Sequence, residues 1–314
     1  MAAYPQVFFA GRWAGAGDAM VSIGSLAMRY GISVFEGIRL YSPLGGGTPR
    51  PFLLAEHIGR LTNSMALLRL PDPGVRRLPG LIDELIERNG IRDDAYVRVS
   101  VTPANPGDLG DEAVPVLAIS AAPMGRKRWL AEGTGMTLAI SDWQRAPRAA
   151  FPPAAKNISS YAGPRLAWLA ARDAGFDGCV LTNGSGRLCE APTAALFLVR
   201  GTELATPALS EGLLPSITRA WLLRAAAASG IPARECELTR EDAYDADEAF
   251  LCGTGIEIAP IRAFDGHEVR QWPAAPVTRG LITSYFVAAR GGGTLPVAAG
   301  SRPEAAGSRP EAAQ

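Results

Sequence analysis

The sequence predicts an α/β protein of two domains, the first of α+β type, and three observations carry that prediction. Its 314 residues suffice for two packed domains at roughly 100–200 residues each. Segments with the two-residue period of strands alternate with segments carrying the three-to-four-residue period of helices. A basic, glycine-containing, aperiodic stretch at 123–133 interrupts the alternation. The small domain is therefore placed at 1–122, the interdomain loop at 123–133, the large domain at 134–290 and a tail at 291–314.

In the first domain, residues 6–13 read as a hairpin, with Val7, Phe8 and Phe9 before an Ala10-Gly11 turn. Residues 30–41 are β-branched and aromatic, hence expected to be extended. Over 55–70, Ile58, Leu61, Met65 and Leu68 recur at steps of three and four, an apolar stripe along one side of a helix with Arg60 off it. Leu78, Leu81, Ile82, Leu85 and Ile86 repeat the helical pattern. From 96 to 101 the period drops to two, with Val97, Val99 and Val101 on one face and Tyr96, Arg98 and Ser100 on the other. A strand over 114–120 closes the domain.

The second domain is expected to open with a strand at 136–141, followed by a Pro/Ala-rich loop carrying Lys156, a helix over 164–174 and buried strands at 178–182 and 195–199. A helix over 216–228 stops at Gly230 and Pro232. Thr239 and Asp242 have the spacing of a capping box, and strands at 249–252 and 257–262 flank a Gly253-Thr254-Gly255 turn. The heptapeptide AAGSRPE occurs twice between 298 and 311; alanine around proline makes no coiled-coil seam, so the tail is expected to be disordered.

Composition narrows the chemistry. Hydrophobic residues are 47% and charged residues 20%, with 31 basic against 31 acidic side chains, which fits neither wholesale disorder nor a nucleic-acid-binding polycation. No apolar run approaches the ~18 residues of a membrane span, and the first nine residues lack a secretory signal, so a soluble, cytoplasmic protein is expected, with no nucleic-acid or membrane partner. Cys179, Cys189, Cys236 and Cys252 have no paired spacing and read as small buried hydrophobes. His57 and His267 are the only histidines, leaving little material for a metal site, and Lys127 and Lys156 are the only lysines.

Lys156, in its loop, is either an incidental solvated lysine or an amine whose pKa is depressed enough to attack a carbonyl. Glu190 follows a glycine turn and enters an apolar strand; it is either an edge charge facing water or a carboxylate held against a cationic ring nitrogen. The amides of Ile217 and Thr218, at the first turn of a helix, form an anion cradle unless Ser216 merely caps that helix. Gly253-Thr254-Gly255 is a second close-approach turn with a hydroxyl, and with Arg60 the two turns could share one phosphate.

The ordered set is more specific than its members. The block from Tyr30 to Arg39, YGISVFEGIR, then Glu56-His57-Ile58-Gly59-Arg60-Leu61, Tyr96-Val97-Arg98, Ala155-Lys156, Tyr161, Glu190, residues 214–219 and Gly253-Thr254-x-x-Glu257 resemble the branched-chain aminotransferases in the same order. These are class IV, fold-type IV enzymes using pyridoxal 5′-phosphate, and the resemblance runs from about Val21 to Thr278.

The resemblance implies a cofactor at the domain interface, with Lys156 forming the internal aldimine and moving the substrate proton. It implies that Tyr161 bonds the cofactor's phenolic oxygen and that Glu190 keeps the pyridine nitrogen protonated. Arg60, Ile217, Thr218 and Thr254 would bind the phosphate. Tyr30, Phe35, Arg39, Tyr96 and Arg98, with Thr254 and Gly255, would surround a substrate that is a hydrophobic L-amino acid in one half-reaction and glutamate in the other. A homodimer or larger homo-oligomer, with a neighbouring loop entering the site, is implied too. Three segments depart from the family pattern: the basic Met124–Trp129 loop with its displaced tryptophan, Asn157-Ile158-Ser159-Ser160, and Ala191-Pro192-Thr193-Ala194; Gly255 stands where alanine is frequent. They point to a relative acting on other hydrophobic amino acids. A D-amino-acid transaminase, an aminodeoxychorismate-lyase-like enzyme and a non-catalytic relative are the alternatives.

Overall fold

The computed structural model describes residues 3–292, so the repeated tail lies outside the described residues. Two sheets with helices packed on them organise the chain, in agreement with the expected α/β class. The first is antiparallel and six-stranded. Its edge is the expected hairpin, β1 (Gln6–Phe9) and β2 (Arg12–Gly15), turned by Ala10 at φ 49° and Gly11 at φ 88°. Two successive left-handed residues give a turn whose twist matches the strands. With β3 (Val34–Tyr41), β4 (Arg50–Pro51), β5 (Ala95–Pro103) and β6 (Pro115–Pro123), the order is β2-β1-β6-β5-β3-β4.

Residues 30–41 are not extended throughout. Helix α1 (Leu26–Tyr30) precedes the strand, because the Ser25 hydroxyl accepts from the Met28 amide and Gly31, at φ 71°, ends the turn. Helix α2 (Leu54–Leu67) buries Leu61 and Met65, with Ile58 and Leu68 packed at the rim of the same core. Helix α3 (Leu78–Arg88) buries all five stripe residues. Strand β5 alternates buried and half-buried positions along its whole length, leaving Tyr96 and Arg98 on the face away from α2 and α3's apolar core.

The connection after β6 contains one helical turn, α4 (Arg128–Ala131). Beyond it come β7 (Met136–Gln144), α5 (Ala162–Asp173), β8 (Gly178–Thr182), β9 (Glu190–Ala191), β10 (Ala194–Arg200), β11 (Glu203–Pro207), α6 (Ile217–Ala228), β12 (Ala233–Cys236), α7 (Arg240–Tyr244), β13 (Glu248–Gly253), β14 (Glu257–Phe264), β15 (His267–Glu268) and α8 (Pro276–Ala289). Their nine strands form a mixed sheet ordered β12-β11-β10-β13-β14-β7-β8, with β9 beside β10 and β15 beside β14. Thr239 and Asp242 make the expected capping box on α7. Helix α8 had no counterpart in the sequence reading. It returns to the first sheet: the Tyr285 ring lies 6.3 Å from Tyr41 and 5.4 Å from Phe52, and Arg290 donates to the Ser42 carbonyl at 2.8 Å.

Candidate active site

The loop carrying Lys156 is stitched onto the start of β3. The Phe35 amide donates to the Lys156 carbonyl at 3.0 Å and the Ile158 amide to Ser33 at 3.0 Å, while the Lys156 amide donates to the Ser64 hydroxyl of α2 at 3.0 Å. The lysine's loop is thereby fixed to β3 and α2 of the first half, and its side chain lines a cavity of about 570 Å³ between the two halves. Its Nζ donates to the Tyr161 hydroxyl at 2.8 Å and lies 4.7 Å from the Phe35 ring centroid. Burial, helped by the positive charge of Arg60, pushes its ammonium down to about 7, against the opposing pull of Glu36 and Glu190. Burial likewise pushes the Tyr161 phenol up to about 12, with Glu190 adding to the effect.

Glu190, 7% exposed, opens β9 and also lines the cavity. Burial raises its carboxyl pKa, and the guanidinium of Arg145 opposes this from 2.9 Å; the Leu214 amide donates to the same oxygen at 3.2 Å. Arg145 escaped the sequence reading. It lies just beyond β7, where nothing local separates it from other arginines; only the fold brings it against Glu190.

Arg60 stands at the cavity wall with its other side held by Glu36, Nε to Oε1 at 2.7 Å and Nη2 to Oε2 at 2.8 Å, and Nη1 on the Pro215 carbonyl at 2.9 Å. Glu36 also meets His57 Nδ1 at 2.8 Å. Burial alone would raise the Glu36 carboxyl, but the hydrogen bonds and charges of Arg60 and His57 win and hold it down at about 2. The Glu36–His57 pair that backs Arg60 was not read from the sequence as part of the site. Ser216 caps α6 by accepting from the Arg219 amide and also lines the cavity. The cap leaves the N–H groups of Ile217 and Thr218, in the first helical turn, without an intrahelical partner, and of this turn Ser216 is the residue that lines the cavity. Thr254 and Gly255 complete that side.

On the first sheet, Phe35, Tyr96 and Arg98 line the opposite wall. The Arg98 guanidinium lies 3.4 Å from the Phe35 ring centroid. A Cβ at Gly37 would sit 1.8 Å from the Tyr96 hydroxyl, so this strand position is glycine because the phenol crosses it. Trp129, displaced in the sequence, nevertheless reaches the cavity. Four candidates are not among the lining residues: Ile217 and Thr218, buried at the start of α6, and Tyr30 and Arg39. Tyr30 ends α1 at the surface, its hydroxyl 3.4 Å from Asp108. Arg39 is 1% exposed and turned into the interior, where Nη2 meets Glu257 at 2.8 Å; the expected placement of its guanidinium in the substrate pocket is replaced by a buried ion pair.

An amine and a carboxylate across one cavity, with an arginine and a helix N-terminus beside them, match the donor set of a phosphorylated pyridine aldehyde: amine for aldehyde, carboxylate for ring nitrogen, cations and amides for phosphate. The comparisons agree. The family model for class IV amino-transferases matches residues 33–264. The branched-chain-amino-acid aminotransferase of Salmonella typhimurium is 34% identical over 277 residues, 86% of this chain and 88% of the relative. The crystal structure of the branched-chain aminotransferase from Thermoproteus uzoniensis with norvaline superposes with a TM-score of 0.86 at 31% identity, covering 93% of this chain and 96% of that one. The holo form from Thermobaculum terrenum, which contains pyridoxal phosphate, gives 0.86 at 30% identity over 93% and 95%. Aminotransferases of class IV are pyridoxal-phosphate-dependent enzymes. The chain belongs to the class IV aminotransferases.

Proposed function

We propose that this enzyme transfers the amino group between a branched-chain or other hydrophobic L-amino acid and 2-oxoglutarate, with pyridoxal 5′-phosphate held on Lys156. One observation carries the reading: an amine brought to about 7 and hydrogen-bonded to Tyr161 faces the same cavity as the buried carboxylate Glu190. The bound cofactor supplies an electron sink for the substrate carbon, chemistry no side chain here provides.

The chain's own groups do the rest. Lys156 takes and returns a proton at Nζ, and a pKa near neutrality lets one amine do both. Glu190 would hold a proton at the ring nitrogen, and Arg145 opposes the rise in pKa that burial imposes on that carboxylate. Arg60, Thr254 and the amides of Ile217 and Thr218 hold the phosphate, while Tyr161 orients the phenolic oxygen. Phe35, Tyr96, Arg98 and Trp129 shape the side-chain pocket, and the Thr254 and Gly255 amides receive the substrate carboxylate. Residues 1–122 and 134–290 act as the two domains on either side. Tyr30 reaches a site from a neighbouring copy, an arrangement supported by the exposed Met20, Ile23, Met28 and Leu109 around it. The relatives' printed activities support the substrate class.

A donor panel tests the reading. Purified holoprotein given 2-oxoglutarate with L-leucine, L-valine or D-alanine is expected to form glutamate from the L-amino acids, and borohydride is expected to fix a pyridoxyl group on Lys156, read by peptide mass. Glutamate from D-alanine alone, or a reduced protein free of the label, rules the proposal out.

A further inference from the structure

Arg39, the third-to-last residue of β3, and Glu257, the first residue of β14, are the most deeply buried ion pair among the described residues, each side chain 1% exposed. The Nη2–Oε1 distance is 2.8 Å. The same oxygen accepts from the Tyr41 hydroxyl at 2.9 Å, which in turn lies 3.2 Å from that of Tyr285. Arg39 Nη1 donates to the Met124 carbonyl. Two buried charges cost more in desolvation than their attraction returns unless every polar atom is served. Here Arg39 Nε and Glu257 Oε2 have no partner. As a device for stability alone the pair is poorly made, and an apolar replacement would serve better.

The backbone of Glu257 adds a second, independent observation. Gly253 and Glu257 pair across β13 and β14 and close a three-residue loop, Thr254-Gly255-Ile256. A left-handed φ is ordinarily left to glycine. Glu257 occupies that region at φ 63°, although it carries a Cβ and a charge. The neighbouring Gly255, free to adopt such a φ, does not. A strained glutamate at a glycine position is explained when its carboxylate is needed as an anchor.

Three segments therefore meet on one guanidinium: β3, the connection at Met124 and the turn ending at Glu257. Both attached segments run directly into the cavity wall, the connection delivering Trp129 and the turn delivering Thr254, Gly255 and Ile256. Lys127, between Met124 and Trp129, has its ammonium pKa lowered by burial and by the Arg39 charge.

We propose that Arg39 is the positioning residue of the substrate side of the site: through Glu257 and the Met124 carbonyl it sets the 254–256 turn and the Trp129 segment around the substrate without touching it. The proposal rests on the aminotransferase reading above. It follows that loosening Arg39 disturbs the seat of the carboxylate common to both substrates and leaves the capture of cofactor by Lys156 intact. Lysine at 39 can meet Glu257 or Met124 but lacks the planar fork that serves both, so it rescues only in part.

The test compares Arg39→Met, Arg39→Lys and Glu257→Gly holoproteins with wild type, reading cofactor content by absorbance and borohydride trapping, melting temperature, and KM and kcat for L-leucine and 2-oxoglutarate. Arg39→Met and Glu257→Gly are expected to raise KM for both substrates by roughly tenfold or more, with kcat and cofactor content changing by less than about threefold. Arg39→Lys falls between. Glu257→Gly relieves the backbone, so it remains informative if Arg39→Met fails to fold. Unchanged KM values in Glu257→Gly beside an altered melting temperature would reduce the pair to a structural clamp and overturn the proposal. A KM increase confined to 2-oxoglutarate would overturn it too, by making Arg39 a direct ligand of the distal carboxylate. Wild-type protein that neither traps cofactor nor turns over leucine would instead remove the aminotransferase reading on which both stand.

Discussion

At the residue scale, the decisive property is the protonation of Lys156. An ordinary lysine is neutral only above about pH 10.4; here burial and Arg60 bring the amine to about 7. Only the neutral amine attacks a carbonyl, so capture of pyridoxal phosphate by apoprotein should accelerate about tenfold per pH unit below 7 and level off above it. Absorbance after rapid mixing measures this; a rate still climbing between pH 8 and 10 would show an unperturbed lysine. Lys156 and Glu190 were legible in the sequence because each is out of place, a lysine in a chain almost without them and a carboxylate entering an apolar strand. Arg39 was legible as a residue but not as a contact. It shares strand parity with Phe35 and Gly37, which line the cavity, so parity points it the same way. Its partner Glu257 stands 218 positions away, and only the closed fold brings the two together.

At the scale of elements, β3 and α2 are joined by Glu36, which takes both Arg60 and His57. Strand parity separates it from Phe35, so one strand presents a cavity face and a charged, helix-facing side. The Glu36 carboxyl stands at about 2 in the fold against 4.5 ordinarily. A depressed carboxyl contributes stability in full above its unfolded value, and loses it as pH falls through 4.5 toward 2. The contribution is about 3 kcal/mol by linkage. Apoprotein should accordingly lose melting temperature steeply across that window, and Glu36→Gln, less stable at neutral pH, should show a flatter profile. Equal slopes for the two proteins in calorimetry would show that the acid sensitivity lies elsewhere. The elements themselves were legible where one physical period dominates, as in α3 and β5. Helix α1, just ahead of the β-branched stretch, was missed because its start depends on one Ser25 cap. Helix α8 was hidden because its small and apolar residues spread around the axis; Pro276 in its first turn was the available signal.

At the scale of the whole molecule, the alternation of periods and the aperiodic stretch at 123–133 made two sheets readable, whereas the return of α8 onto the first sheet was not, since nothing local marks Tyr285 as the neighbour of Tyr41. What the single chain leaves open is an apolar surface beside Tyr30. Met20, Ile23, Met28 and Leu109 are 62–88% exposed. The two segments bearing them are tied together by the Leu26 amide on the Asn105 carbonyl at 3.0 Å and by Arg29 on Asp108 at 3.0 Å. Exposed apolar side chains of this kind are what a partner surface would cover, and a second copy bringing Tyr30 to the site is the occupant proposed above. The wild-type protein should then sediment as a dimer or larger assembly. Ile23→Asp combined with Met28→Asp should shift it toward monomer while leaving the far-ultraviolet spectrum unchanged, because neither side chain is buried in the fold. Activity per chain should fall with dissociation and return as protein concentration is raised, since association is governed by mass action. A fully active monomer at high dilution would separate catalysis from assembly and return Tyr30 to an ordinary surface role.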